Sequence, residues 1–82
     1  MKKTRWATIL LIRCQNDLKH LKKVCSDIAK KDPNFKYHVD EDLQTVTIYS
    51  DSRSKAYKRG VWFHHKVNLP SGEKIYFEVT RL

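Results

Sequence analysis

The chain has 82 residues, a length that fits one small domain over residues 1–82 with a single core. It contains 17 Lys and Arg against 9 Asp and Glu, for a formal charge of +8, and 40% of its residues are hydrophobic. This composition argues against a disordered chain and favours a folded domain whose partner is a polyanion.

The charge is distributed unevenly along the sequence. Residues 1–31 carry nine cations and two acids, residues 32–51 carry one cation and five acids, and residues 52–69 carry five cations and no acid. This pattern predicts two positive surfaces separated by an acidic one, which favours oriented binding of nucleic acid. The alternative is that the lysines only keep a small protein in solution.

The N-terminal segment has the outline of a signal peptide, because two Lys precede an apolar run. Its uninterrupted apolar part is only Ile9–Ile12, which is too short for an export signal or a membrane span. Residues Trp6–Ile12 are apolar on both alternating faces, so we predict a buried central strand. Cys14 and Cys25 lie eleven positions apart without a CxxC motif, which predicts reduced thiols in a cytoplasmic protein.

The next segment, residues 15–34, changes to a helical period. Its apolar positions, spaced at three and four residues, are Leu18, Leu21, Val24, Cys25 and Ile28. Asn16 or Asp17 is the predicted N-cap, and the residues at 32–34 (Asp-Pro-Asn) end the helix. The lysines on the opposite side are Lys19, Lys22, Lys23 and Lys30. We interpret them as a solvated face, with a second phosphate-binding surface as the alternative.

Two alternating segments follow the helix and predict a β-hairpin. The apolar members of these segments are Phe35, Tyr37, Val39, Val46 and Ile48. The predicted register pairs Val39 with Val46 and Tyr37 with Ile48, across an acidic turn at residues 40–42.

Residues 53–66, with the sequence RSKAYKRGVWFHHK, carry the clearest functional signal: five cations, two large aromatic residues at Tyr57 and Trp62, and no acid. Cations neutralise phosphates, and flat aromatic rings stack on unpaired bases. The predicted nucleic-acid-binding residues are Arg53, Lys55, Tyr57, Lys58, Arg59, Trp62, His64 and Lys66. Residues 52–59 fit either a short helix, with Ser52 as N-cap and Gly60 after its end, or a loop.

The C-terminal residues predict a second hairpin. Strands over residues 61–69 and 75–79 are joined by a turn at residues 70–72. The register that pairs Val67 with Ile75 and Phe63 with Val79 keeps lysine side chains out of the core.

That register places His64 opposite Glu78 on the outer face and His65 in the core. A histidine oriented by a carboxylate is a candidate general base, so a toxin-type ribonuclease using His64 and Glu78 is an alternative function. No second acid is available for the leaving group, and we predict that the protein is not an enzyme. Neighbouring strand residues point to opposite faces, so the two histidines do not share a metal, and we predict no metal and no cofactor.

These patterns together predict a single α+β domain with the order β-α-β-β-(short α or loop)-β-β. It has a mostly antiparallel sheet and one main amphipathic helix packed on one face. The predicted function is non-enzymatic nucleic-acid binding through residues 53–66, with RNA ahead of DNA and no membrane partner. The alternative partner is an acidic protein surface, which an inhibitor or regulator of mobile-element or phage type would bind. The sequence does not predict the oligomeric state.

Overall fold

A computed structural model describes residues 6–82 of the chain, and in it a four-stranded antiparallel sheet is combined with two helices. In chain order the elements are β1 (Trp6–Leu11), α1 (Gln15–Lys31), β2 (Lys36–Asp40), β3 (Thr45–Ser50), α2 (Arg53–Lys66) and β4 (Tyr76–Arg81). The strands lie in the order β2-β3-β1-β4, so β1 is central as predicted. This element order is that of the split βαβ motif. The predicted α+β class is confirmed.

The hairpin of β2 and β3 has the predicted register. Val39 lies opposite Val46 and Tyr37 lies opposite Ile48. In the acidic turn between the strands, the Asp40 carboxylate accepts a hydrogen bond of 3.0 Å from the backbone N–H of Leu43. The alternation of apolar and polar residues, with one acidic turn, was therefore enough to predict both strands and their pairing.

The predicted strand over residues 61–69 is wrong, because α2 continues through this segment to Lys66. Ser52 is the N-cap as predicted, and its side chain accepts a hydrogen bond of 3.2 Å from the backbone N–H of Lys55. Gly60 lies inside the helix instead of after its end. The fold thus has four strands and two long helices, where the sequence predicted five strands and one main helix.

The final strand is present, but its partner differs from the prediction. β4 pairs with β1, with Phe77 opposite Leu10 and Val79 opposite Thr8. The predicted pairings of Val67 with Ile75 and of Phe63 with Val79 are therefore wrong. Phe63 is nevertheless buried, because it projects from α2 into the same core.

One face of the sheet carries the core. Its buried apolar side chains are Leu10, Ile12, Leu18, Leu21, Cys25, Phe35, Val46, Ile48, Phe63, Leu69 and Ile75. Both helices contribute to this cluster, so they cover the same side of the sheet. The predicted burial of Leu18, Leu21 and Cys25 is confirmed, and Ile28 is half-buried. In β1 the core side is that of Leu10, and Leu11 on the other side is exposed.

α1 begins without a side-chain cap, since its N-cap residue is Cys14 and not Asn16 or Asp17. Asp17 instead reaches the loop that precedes β4. Its carboxylate accepts hydrogen bonds from the backbone N–H of Ser71 at 3.1 Å and from the Ser71 hydroxyl at 2.6 Å. Burial by itself raises the pKa of Asp17, but these hydrogen bonds outweigh it and lower the pKa below its ordinary value.

Both cysteines are free thiols. Cys25 is fully buried in α1, and burial raises the pKa of its thiol to about 12, so this side chain is a neutral part of the core. Among the described residues, no helix combines the length and the apolar character that crossing a membrane requires.

Candidate nucleic-acid interface

The two helices form a cationic layer over one side of the sheet. α1 carries five Lys and two Asp, and α2 carries five Lys and Arg without an acid. The other described residues carry four cations and seven acids. The basic segments of the sequence therefore lie side by side in one layer, and not on two surfaces separated by an acidic one. Positive charge concentrated on one side gives the molecule a preferred orientation toward a polyanion.

All eight predicted binding residues lie on or at the ends of α2, and the helix separates them by direction. Those that share the side facing β4, by their spacing and contacts, are Arg53, Tyr57 and His64. Those that line the side facing α1 are Lys55, Lys58, Arg59 and Trp62. Lys66 is exposed near the C-terminal end of the helix. The structure thus brings four of the eight predicted residues together at this side, and a second concavity on α2 is lined by Tyr57, Lys58, Trp62 and Lys66.

The side of α2 that faces β4 is held by aromatic and hydrogen-bond contacts. The Tyr57 ring packs edge-on against Phe77, with 5.8 Å between ring centroids. His64 donates a hydrogen bond of 2.7 Å from its Nδ1 to the backbone carbonyl of Ile75 and lies 5.8 Å from the Tyr76 ring. These contacts anchor α2 to the edge strand, so Tyr57 and His64 have a structural role on this side.

A groove runs between the C-terminal half of α1 and the exposed side of α2. No Cα atom of α1 comes within 8 Å of a Cα atom of α2, and Arg59 reaches across to Asp32, the residue after α1. The groove has a volume of about 550 Å³, and binding pockets for small ligands fall in the range of about 300–1,000 Å³. Its lining residues are Ile28, Asp32, Asn34, Ser50, Lys55, Lys58, Arg59 and Trp62.

Arg59 is the most constrained cation of the groove. Its guanidinium lies 4.9 Å from the centroid of the Phe35 ring and 3.5 Å from the Asp32 carboxylate. Asp32 also accepts a hydrogen bond of 3.0 Å from the backbone N–H of Asn34. Arg59 therefore links α2 to the end of α1, and part of its positive charge is compensated within the protein.

The other cations of α2 are less constrained. Lys55 lies 3.3 Å from Asp51, one helical turn before it, and both groups face solvent at least in part. Lys58 is exposed and forms no ion pair with any residue from 6 to 82. Trp62, one turn after Lys58, is 44% exposed. The groove wall thus presents an exposed indole next to uncompensated positive charge, the combination that phosphate and base contacts require.

The predicted pair of His64 and Glu78 is wrong. Glu78 lies opposite Ile9 in the sheet and is exposed, in alternation with Phe77 and Val79, which face the helices. His64 belongs to α2, on the helix-covered side, so the sheet separates the two side chains. His65, predicted in the core, is exposed. The hydrogen-bonded pair on which the ribonuclease alternative depended is therefore not formed.

The two histidines are also closer than a strand would place them, with 5.0 Å between ring centroids. From Trp6 to the C-terminus, no group of three or more His, Cys, Asp or Glu side chains is placed to hold a metal ion.

Sequence reasoning missed the half of the groove that α1 and its C-terminal loop supply. Asp32 and Asn34 were interpreted only as the end of the helix, Ile28 only as part of its apolar stripe, and Ser50 had no assigned role. The sequence gives no signal that the Asp-Pro-Asn turn at residues 32–34 lies close in space to the basic segment at residues 53–66. The Asp32–Arg59 contact joins residues 27 positions apart. Neither a protein-family model nor a curated protein sequence matches this chain.

Proposed function

We propose that this protein is a small non-enzymatic nucleic-acid-binding protein of the cytoplasm, which binds RNA in preference to DNA through α2. The observation that carries the proposal is the charge of the helical layer, where ten Lys and Arg accompany only two Asp. A surface of this kind attracts phosphates and releases their counterions.

The preference for RNA rests on Trp62, which is 44% exposed among the cations of α2. Tyr57 is exposed as well but packs edge-on against Phe77, so it is not assigned to the contact. Proteins commonly bind RNA at loops and single strands, whose unstacked bases pack against aromatic rings. Duplex DNA offers phosphates to the same lysines but no accessible base face, so it would use only part of this surface.

The test is the binding of a labelled single-stranded RNA, followed by fluorescence anisotropy over a range of salt concentrations. A triple variant of α2, R53A/K55A/K58A, should weaken binding and lower the salt dependence by up to about one counterion per cation removed. The matched control, K36A/K74A/R81A, removes the same charge at exposed positions outside the helical layer. It should bind nearly as the wild type does.

Equal losses in the two triple variants would show that only net charge matters, and that α2 is not the interface. Absence of binding by the wild type to RNA and to DNA would reject the proposal altogether. The RNA recovered from the assay should be intact, because the proposed function involves no cleavage.

A protein partner with an acidic surface is the second candidate function, and the same exposed aromatic residues favour it. Aromatic side chains surrounded by cations also act as anchors in protein interfaces. The two candidates differ in salt dependence, since a protein complex that buries Trp62 retains much of its affinity when salt is raised. A pull-down with and without nuclease treatment distinguishes them directly, because nuclease removes only partners bound through nucleic acid.

A further inference from the structure

We infer that the groove between α1 and α2 holds one unpaired nucleotide of a single strand, with its base stacked on Trp62 and the adjoining phosphates at Lys55 and Lys58. This inference rests on the proposed function and adds to it a defined site and ligand. It also divides the two exposed aromatic residues of α2, since Trp62 lines the groove and Tyr57 does not.

The groove has the shape that such a unit needs. Its volume of about 550 Å³ lies between two helices whose Cα atoms do not approach within 8 Å of each other. Trp62 and the neighbouring lysines line it from α2, and Ile28 lines it from α1. A base between these side chains has apolar contacts on its faces, and its phosphates remain at the open side near the ammonium groups.

The polar end of the groove is preorganised. Asp32 is fixed by the backbone N–H of Asn34 and by Arg59, and the Phe35 ring supports the guanidinium of Arg59. These groups therefore keep their positions without a ligand. Together with the side-chain amide of Asn34, they offer donors and acceptors toward the edge of a base that lies against Trp62.

Duplex nucleic acid lacks an accessible base face and does not fit this arrangement. Its phosphates reach only the exposed cations of the helical layer. The structure therefore assigns the preference for a single strand to the groove, and the electrostatic attraction common to all nucleic acids to the layer as a whole.

The experiment compares three variants on two probes, a uridine homopolymer and a blunt-ended RNA duplex of the same length. W62A should lose about fivefold or more in affinity for the homopolymer, since stacking on an aromatic ring contributes at least about this factor per base. Its affinity for the duplex should stay within about twofold, since the phosphate contacts remain. W62F should retain most of the binding, because a phenyl ring still stacks.

Y57A is the matched control, because Tyr57 is an exposed aromatic residue of the same helix that does not line this groove. It should bind both probes nearly as the wild type does. Circular dichroism of each variant shows whether the fold is kept, and W62F preserves the test if W62A does not fold.

A second measurement uses tryptophan fluorescence. Binding of the homopolymer should quench part of the emission of the wild type, and this part should be absent in W62F, where only Trp6 emits. Wild-type affinity of W62A for the homopolymer, or an equal loss in Y57A, would overturn the groove and leave the proposed function in place. If the wild type binds neither probe, the proposed function fails together with the groove.

Discussion

The two helices cover the same face of the sheet but use their large apolar side chains in opposite ways. α1 turns Leu18 and Leu21 into the core and directs its lysines outward. α2 places its small residues, Ala56 and Gly60, against the sheet and leaves Trp62 exposed. The difference indicates that the apolar side chains of α1 serve stability, whereas the exposed aromatic ring of α2 is available to a ligand.

The small residues of α2 allow a close approach to the sheet. The hydroxyl of Thr8 in β1 donates a buried hydrogen bond of 2.6 Å to the backbone carbonyl of Ala56. One turn later, the Phe77 ring of β4 occupies the space that a side chain at Gly60 would need. Contacts of its backbone therefore add to the anchoring side chains of Tyr57 and His64, and Phe63 is the large side chain of α2 that is fully buried in the core.

The largest effect is expected in α1. Replacing Leu21 by Ala removes a fully buried side chain and should lower the free energy of unfolding by about 2–5 kcal/mol. The matched control is Lys23→Ala in the same helix, at an exposed position, which should change stability little. Chemical denaturation measures both. If the two variants unfold at the same denaturant concentration, the apolar residues of α1 do not pack in the core.

A smaller effect is expected where α2 crosses β4. Gly60→Ala raises helix propensity, which by itself favours the folded state by about 1 kcal/mol. The added Cβ, however, meets the ring of Phe77, and overpacking of this kind costs about 1–3 kcal/mol. We therefore expect a net loss of stability.

The effects of helix propensity and of overpacking can be separated by repeating Gly60→Ala in a protein whose residue 77 has a smaller side chain. In Phe77→Ala protein the ring is absent, so Gly60→Ala should become neutral or stabilising. A destabilising effect of the same size in both backgrounds would show that Gly60 is needed for another reason than its contact with Phe77.

The same contrast explains which parts of the fold the sequence could predict. α1 was recognisable because its large apolar residues recur with the helical period of 3.6 residues. β2 and β3 were recognisable because their apolar residues recur at every second position. In α2 the inward residues at 56 and 60 carry no hydrophobic signal, whereas the alternation of Val61, Phe63 and His65 fits a strand. The contacts that hold α2 on the sheet, such as those of Gly60 with Phe77 and of Ala56 with Thr8, join residues that are far apart in the sequence.

For the candidate site, the sequence predicted the residues of α2 but not their arrangement. Composition alone indicated the cations and aromatic rings of residues 53–66. The division into a side anchored on β4 and a side open to α1 depends on helical geometry. The contribution of Asp32 depends on a contact between distant residues, which a single sequence does not encode visibly.

The helix N-termini provide a prediction on pH. α1 is tied to the loop before β4 by the Asp17 carboxylate, whereas α2 is capped by the neutral Ser52. Because the folded-state pKa of Asp17 lies below its ordinary value of about 3.9, its stabilising contribution is present above that value. The contribution is lost as the pH falls through the folded-state pKa.

Ser71→Ala should therefore lower stability at neutral pH by about 1 kcal/mol, the typical contribution of one hydrogen bond, and by less once the pH falls below the folded-state pKa of Asp17. Ser52→Ala should cost a similar amount that does not change between these conditions. Thermal unfolding followed at both pH values measures the difference. An equal pH dependence in the two variants would mean that Asp17 does not stabilise the start of α1 through its charge.

The smallest effect distinguishes two neighbouring cations of α2. Arg59 contacts Asp32 and Phe35, so Arg59→Ala should lower stability by up to about 1 kcal/mol, as expected for a partly exposed ion pair and cation–π contact. Lys58 has neither contact among the described residues, and Lys58→Ala should leave the free energy of unfolding unchanged.

In the RNA assay Lys58→Ala should have the larger effect of the two substitutions. Lys58→Ala should lower the salt dependence by about one counterion, and Arg59→Ala by less, because Asp32 already compensates part of its charge.

Asp32→Asn provides the complementary variant, because it keeps the shape of the side chain and removes the charge that faces Arg59. Asp32→Asn should raise affinity for the RNA. In Asp32→Asn protein, the further substitution Arg59→Ala should lower the salt dependence by about as much as Lys58→Ala does in the wild type. If Lys58→Ala and Arg59→Ala have the same effects on stability and on binding, the two cations are equivalent solvated groups. The groove then has no preorganised end, and α2 differs from α1 only in how it packs.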